Sequence, residues 1–187
     1  MDFFQSEKEY HTVIASKVFT WSEDFKGIPL KTLKGGTGYA MNISLHDQIE
    51  HLCLDYSLYS LKYSLGFLTR GCPNKCSFCF VTRKEGDIKP HAEIEEFLKH
   101  DKVVLMDNNV LASDHGIKQI EKLIKLKVKV DFNQGLSARL IDRPMANLLS
   151  KLKWDPSIRL ACDSSSQMKH LFNAVKWLRY ANATPTR

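Results

Sequence analysis

The sequence predicts an α/β fold in which parallel strands are covered by helices, and three observations carry that prediction. From residue 65 onward, short apolar runs alternate with stretches of helical periodicity. The runs are continuous rather than alternately apolar and polar, as strands buried on both faces require. Each is followed by a helix-length segment, so successive strands come back in the same direction through right-handed crossovers.

The elements follow in chain order. His11 to Thr20 reads as a strand and Lys31-Thr32-Leu33-Lys34 as a weaker one. Gly35-Gly36-Thr37-Gly38-Tyr39 lacks both the G-x-G-x-x-G spacing and a Walker lysine–serine pair, and so reads as a tight turn rather than a phosphate cradle. Asp55 to Tyr59 reads as a linker into the repeating units. Leu65 to Thr69 is a buried strand, and Ile94, Phe97 and Leu98 mark one face of a helix preceded by Pro90. Lys102 to Met106 is a second strand, followed by a helix with Ile117, Ile120, Leu123 and Ile124 on one side and Ser113 or Asp114 as its cap. Val128 to Phe132 is a third strand. Asp142-Arg143-Pro144 then gives a cap and a first-turn proline ahead of Met145, Leu148, Leu149 and Leu152. Ile158 to Ala161 is a fourth strand, and Met168, Leu171, Phe172, Val175 and Leu178 define a last helix.

The 187 residues amount to one domain, or one domain and part of a second, which excludes a large multidomain enzyme. With 43% hydrophobic and 26% charged residues the chain can bury a core. Apolar runs of the kind Val103 to Met106 fall far short of the roughly 18–20 residues that cross a bilayer. Met1 to Lys8 is acidic and polar where a secretory signal has a basic head and an apolar stretch, so a cytoplasmic location is expected. Basic residues outnumber acidic ones, 27 to 21, for a formal charge of +6, which suits contact with an anionic partner. The densest basic stretch, Lys118 to Lys129, lies on the polar side of a periodic helix and reads as a solvated face. Arg83 and Lys84 likewise read as solvated charges.

Five cysteines are present, and Cys72, Cys76 and Cys79 crowd together. The odd total and the tight spacing point away from a disulfide framework and toward a metal in a reducing compartment. Cys53 and Cys162 stand apart and read as small buried hydrophobes. The stretch from Ser64 to Val81 runs from a strand straight into C-x3-C-x2-C. Three soft thiolates wrapped this closely suit one face of an iron–sulfur cluster and leave a fourth iron open to a ligand. In parallel α/β layouts chemistry collects at the strands' C-terminal ends. Here those ends carry Arg70 and the cysteine loop, Asp107-Asn108-Asn109, Asn133-Gln134-Gly135 and Asp163-Ser164-Ser165.

Cys72, Cys76, Phe78 and Cys79 match, position by position, the C-x3-C-x-aromatic-C motif of the radical SAM superfamily, which residues 64–187 resemble. The resemblance implies a parallel, partial TIM-type (β/α) barrel that is incomplete at the C-terminus. It implies a [4Fe–4S] cluster on Cys72, Cys76 and Cys79, with S-adenosylmethionine on its unique iron. One electron then cleaves the sulfonium to a 5′-deoxyadenosyl radical that abstracts hydrogen from an unspecified substrate. A donor such as flavodoxin or ferredoxin would supply the electron. Phe78 is placed to shield the cluster and border adenine. Asp107 or Asn108 falls where the superfamily receives the methionine amino group, although the usual glycine-glycine-glutamate segment is missing. Gln134, Arg139 and Asp163 fall where carboxylate and ribose hydroxyls would be held. Phe19-Thr20-Trp21 and the glycine turn make residues 1–63 similar to a reduced Rossmann-like or cobalamin-domain-like unit, without the cobalamin signature. Six barrel units need about 180 residues, whereas residues 64–187 suffice for four, so a truncated core is expected.

Other readings stand beside this one. The three cysteines with a histidine such as His91 would make a Cys3His zinc site, giving a zinc-stabilised nucleic-acid-binding module in keeping with the positive charge. An inactive relic of the barrel is a third. Asp107 to Asn109 reads equally as a helix cap, Arg139 as a surface cation, and Asp163 with its serines as a cap for the last helix.

Overall fold

Strands form where the apolar runs fall, in a computed structural model that describes residues 12–24, 27 and 29–184. The expectations placed on Met1 to Lys8 and on His11 lie outside the described residues. The chain divides between Glu50 and His51 into two compact units. In the first, β1 (Ile14–Ser16) and β2 (Leu33–Gly35) pair in parallel. The glycine segment is a turn closed by the Gly38 N–H on the Lys17 carbonyl at 2.7 Å, and α1 (Asp47–Glu50) follows. Asp24 pairs with Lys17 and Lys34, whose hydrogen bonds lower its carboxyl pKa to about 2.

The second unit opens on a 3-10 turn over Tyr56–Tyr59 that is more than the linker its sequence suggests. Tyr56 is buried, with its hydroxyl donating to the Phe97 carbonyl at 3.0 Å and accepting from the Leu65 N–H at 3.0 Å. The next elements are β3 (Ser64–Gly66), β4 (Thr69–Arg70), α2 (Val81–Glu85), β5 (Lys89–Pro90), α3 (Ile94–Phe97), β6 (Lys102–Leu105) and α4 (Asp114–Leu126). Then come β7 (Lys129–Phe132), β8 (Leu136–Ser137), α5 (Arg143–Leu149), β9 (Lys153–Trp154), β10 (Leu160–Ala161) and α6 (Met168–Tyr180). Strands β3, β6, β7 and β9 form a four-stranded parallel sheet in the order β3-β6-β7-β9, which makes this an α/β protein with parallel strands. No helix among the described residues is long and apolar enough to cross a membrane.

One face of the sheet carries Val103, Leu105, Val130, Phe132 and Trp154, all buried in one core with Ile120, Leu123, Leu149 and Leu178 from the helices. Each large side chain so buried contributes roughly 1.5–3 kcal/mol. The helix ends follow the capping chemistry: Ser113 accepts from the Gly116 N–H, and Asp142 from the Met145 N–H with Pro144 in the first turn.

Three expectations are corrected. The run Leu65 to Thr69 breaks into β3 and β4, because the Leu68 and Thr69 N–H groups leave the sheet to donate to a side chain, Asp107. The sheet's fourth strand is β9, not Ile158 to Ala161. Trp154 buries its ring 5.6 Å from Phe132 and donates its indole N–H to Leu149, while β10 pairs in parallel with β8. On α6 the buried residues are Ala174 and Leu178, and Phe172, placed on the core face by periodicity, is 66% exposed.

Candidate metal centre and its supports

The cysteine loop leaves the sheet through a closed neck. Strands β4 and β5 pair antiparallel, Thr69 with Pro90 and Arg70 with Lys89, so residues 71–88 are an excursion whose two ends are tied together. Gly71 begins it with φ +78°, and a Cβ there would lie 2.2 Å from the Asp87 carbonyl oxygen, so only glycine lets the chain through. Beyond it, the Cys72 N–H donates to the Gly86 carbonyl at 3.2 Å. Glu85, at the end of α2, accepts from the Gly71 N–H at 2.9 Å and from the Asn108 amide at 3.1 Å. Its other oxygen lies 3.6 Å from Arg70, whose guanidinium stacks 4.1 Å over the Phe67 ring.

Within the excursion, the Cys79 N–H donates to the Cys76 carbonyl at 3.0 Å, which curls the chain between the last two thiols. Cys72, Cys76 and Cys79 are all free and half-buried. Two of the sulfurs accept N–H donors: Cys79 Sγ from Val81 N at 3.5 Å, and Cys72 Sγ from Asn109 Nδ2 at 3.8 Å. The donor set therefore suits a soft metal by chemistry, being three unoxidised thiols of which two are already polarised. Among the described residues no group of three or more His, Cys, Asp or Glu side chains is gathered as a metal-holding cluster. His91, the histidine named as a zinc ligand, lies with its ring centroid 4.8 Å from that of His51 and edge-on to Phe67 at 6.5 Å.

The segment after β6 holds this loop. The Asp107 carboxylate accepts from the Leu68 N–H, from the Thr69 N–H at 2.6 Å and from the Thr69 hydroxyl at 2.6 Å. Burial pushes its carboxyl above the ordinary aspartate range, against the opposing pull of those donors. Asn108 reaches Glu85 and Asn109 reaches Cys72. Three consecutive side chains are thus spent on the strand that feeds the cysteine loop, on its far end and on its first sulfur. They do not cap the following helix, a task that falls to Ser113.

The other rim residues are placed differently. Phe78, between the last two cysteines, is 73% exposed. Gln134 and Arg139 are exposed around β8, and Asp163 is exposed after β10, where its backbone N–H donates to Gln167. Asp163 does not cap α6, whose N-cap position is Gln167. Sequence reasoning missed Glu85, whose partners lie far from it along the chain. It also missed Asp131, an acid inside the apolar run of β7 that is buried and pairs with Arg159.

Fold and site together define an α/β protein in which a three-cysteine loop follows the first sheet strand through β4 and is braced by the segment after the second. Comparison with protein-family models, with curated proteins and with solved structures yields no match.

Proposed function

We propose that residues 64–187 are a radical SAM domain, an open (β/α) barrel in which Cys72, Cys76 and Cys79 hold a [4Fe–4S] cluster. The observation that carries this reading is the C-x3-C-x2-C loop that follows the first strand of a parallel sheet, β3, by way of β4, its three thiols free and its ends tied by β4–β5 pairing. When bound, the cluster would supply the one electron that breaks the C5′–sulfur bond of S-adenosylmethionine, giving methionine and the 5′-deoxyadenosyl radical that takes a hydrogen atom from a substrate. The reductant would be a small electron carrier such as a flavodoxin or ferredoxin, in the cytoplasm, where thiols stay reduced.

The chain's own residues have separable tasks in this reading. Asp107 has both carboxylate oxygens engaged by Leu68 and Thr69, ahead of the loop, and Asn108 has its amide nitrogen engaged by Glu85 at the far end, so they act as braces rather than as cofactor contacts. Gln134, Arg139 and Asp163, all exposed, are left to bind the cofactor's carboxylate and hydroxyls. Phe78 offers an uncovered ring face on which adenine could stack.

Anaerobic reconstitution with iron and sulfide tests the proposal. We expect about four irons with matching acid-labile sulfide per chain, and 5′-deoxyadenosine after reduction with S-adenosylmethionine. Cys76→Ala should abolish both, and Cys53→Ala should leave both intact. One equivalent of zinc without labile sulfide would reject the proposal in favour of a zinc module.

A further inference from the structure

The three loop sulfurs are not held alike. Cys79 Sγ receives its N–H from Val81, two residues along the same loop, so that bond moves with the loop. Cys72 Sγ receives its N–H from Asn109, which belongs to the segment after β6. The Cys72 backbone is pinned as well, through its N–H to Gly86. Asn109 is itself buried, at 4% exposure, and its backbone carbonyl accepts from the Ala112 N–H.

Asn109 has a second peculiarity. Its Oδ1 is buried and accepts no hydrogen bond among the described residues. A buried acceptor left unmade costs stability, so an apolar residue of similar size would serve folding at least as well. Folding stability does not account for an asparagine here, whereas the bond from its Nδ2 to a sulfur does.

Resting on the reading above, we infer that Asn109 is the positioning residue for Cys72. Its Nδ2–H fixes one sulfur of the set to the rigid sheet, and Cys76 and Cys79 close on the metal around that fixed corner. A donor to a ligating sulfur also withdraws charge from the metal and raises the reduction potential of an iron–sulfur cluster. A side chain serving only to fill space would do neither.

The test uses the full chain with Asn109→Ala and Asn109→Asp. In the iron–sulfur-loaded protein, a redox titration followed by electron paramagnetic resonance should give lower potentials for both variants. Asn109→Asp should shift further, since it brings a negative charge to the sulfur. Potentials equal to wild type would overturn the inference while leaving the cluster reading intact. A second measurement does not depend on a cluster: cadmium binding to the metal-free chain, followed by the thiolate charge-transfer band. Asn109→Ala should weaken cadmium binding about tenfold or more, the usual cost of losing a residue that orients a metal ligand. In the Cys72→Ala background the same change should cost nothing further, because Asn109 acts through Cys72. Additive losses, or a wild-type chain that takes up no cadmium, would overturn it. Should the chain take up cadmium and give this cycle but assemble no iron–sulfur cluster, the cluster reading fails and the role of Asn109 stands.

Discussion

The loops that leave the first two strands of the sheet are built on opposite plans. Residues 71–80 expose much of themselves, Phe78 and Phe80 included, and place no large apolar side chain in the core. Residues 107–111 are almost wholly buried, and their polar side chains at 107, 108 and 109 reach across to the strand that feeds the first loop, to Glu85 beyond its far end and to its first sulfur. The order of the cysteine loop therefore comes from outside it. A segment with so little to bury cannot hold its own shape against chain entropy, so its geometry is imported from a neighbour anchored by Val110 and Leu111 in the core. Reactive loops positioned by a rigid scaffold follow this division of labour.

The largest expected effect comes from removing the deepest brace. Asp107→Ala leaves the Leu68 N–H, the Thr69 N–H and the Thr69 hydroxyl buried without their acceptor. At about 1–3 kcal/mol for each, the loss should be about 3 kcal/mol or more, seen as a lower urea midpoint by tryptophan fluorescence. A wild-type midpoint would show that the strand feeding the cysteine loop does not depend on Asp107. Asp107→Asn isolates the contribution of its proton through pH. The folded-state pKa of Asp107 lies above the ordinary 3.8, so the folded chain holds that proton more tightly than the unfolded one. The linked stability is therefore complete below pH 3.8 and is lost as pH rises through the folded-state value. The asparagine variant does not titrate, and its stability profile should be flatter over that window.

Next in size is a pair of glycine substitutions at the neck of the loop. Gly71 and Gly86 both have φ +78°, so alanine is strained at either, at a cost of about 1–3 kcal/mol. Only Gly71 also meets backbone, with a Cβ 2.2 Å from the Asp87 oxygen, whereas Gly86 has nothing within 4 Å. Gly71→Ala should therefore destabilise more than Gly86→Ala in urea, and should reduce metal uptake by displacing Cys72. Equal effects would mean that the neck yields and that the loop is less tightly seated than its bonds suggest.

The sheet was legible in the sequence where periodicity and caps agreed. Val103 and Leu105, Val130 and Phe132, the Ser113 cap and the Asp142–Pro144 start all fall where hydrophobic pattern and capping chemistry put them. Trp154 was not legible, because it stands alone between the charged Lys153 and Asp155. One large ring reaching the core outweighs two charged neighbours. Phe172 misled in the other direction, since the buried seam of α6 narrows to Ala174 and Leu178 and Phe172 falls outside it. At the site, the cysteine spacing was visible as a motif. The strand-end polar residues were visible only as types: that Asp107, Asn108 and Asn109 each have a named partner in or beside another loop is a long-range fact that no local window contains.

The smallest expected effect separates holding the loop from holding the fold. Ser113 follows Asn109 closely in the chain but caps α4 through the Gly116 N–H and makes no bond to the cysteine loop among the described residues. Ser113→Ala should cost about 1 kcal/mol, the usual value for an N-cap, as a modest shift of the urea midpoint. Metal content and cadmium affinity should stay at wild-type level, since α4 remains packed through Ile120 and Leu123. Asn109→Ala should do the reverse, sparing the midpoint and weakening the metal. If instead Ser113→Ala also lowers cadmium affinity, then any loosening of the segment after β6 suffices, and the three side chains act through the segment's rigidity rather than through their individual bonds.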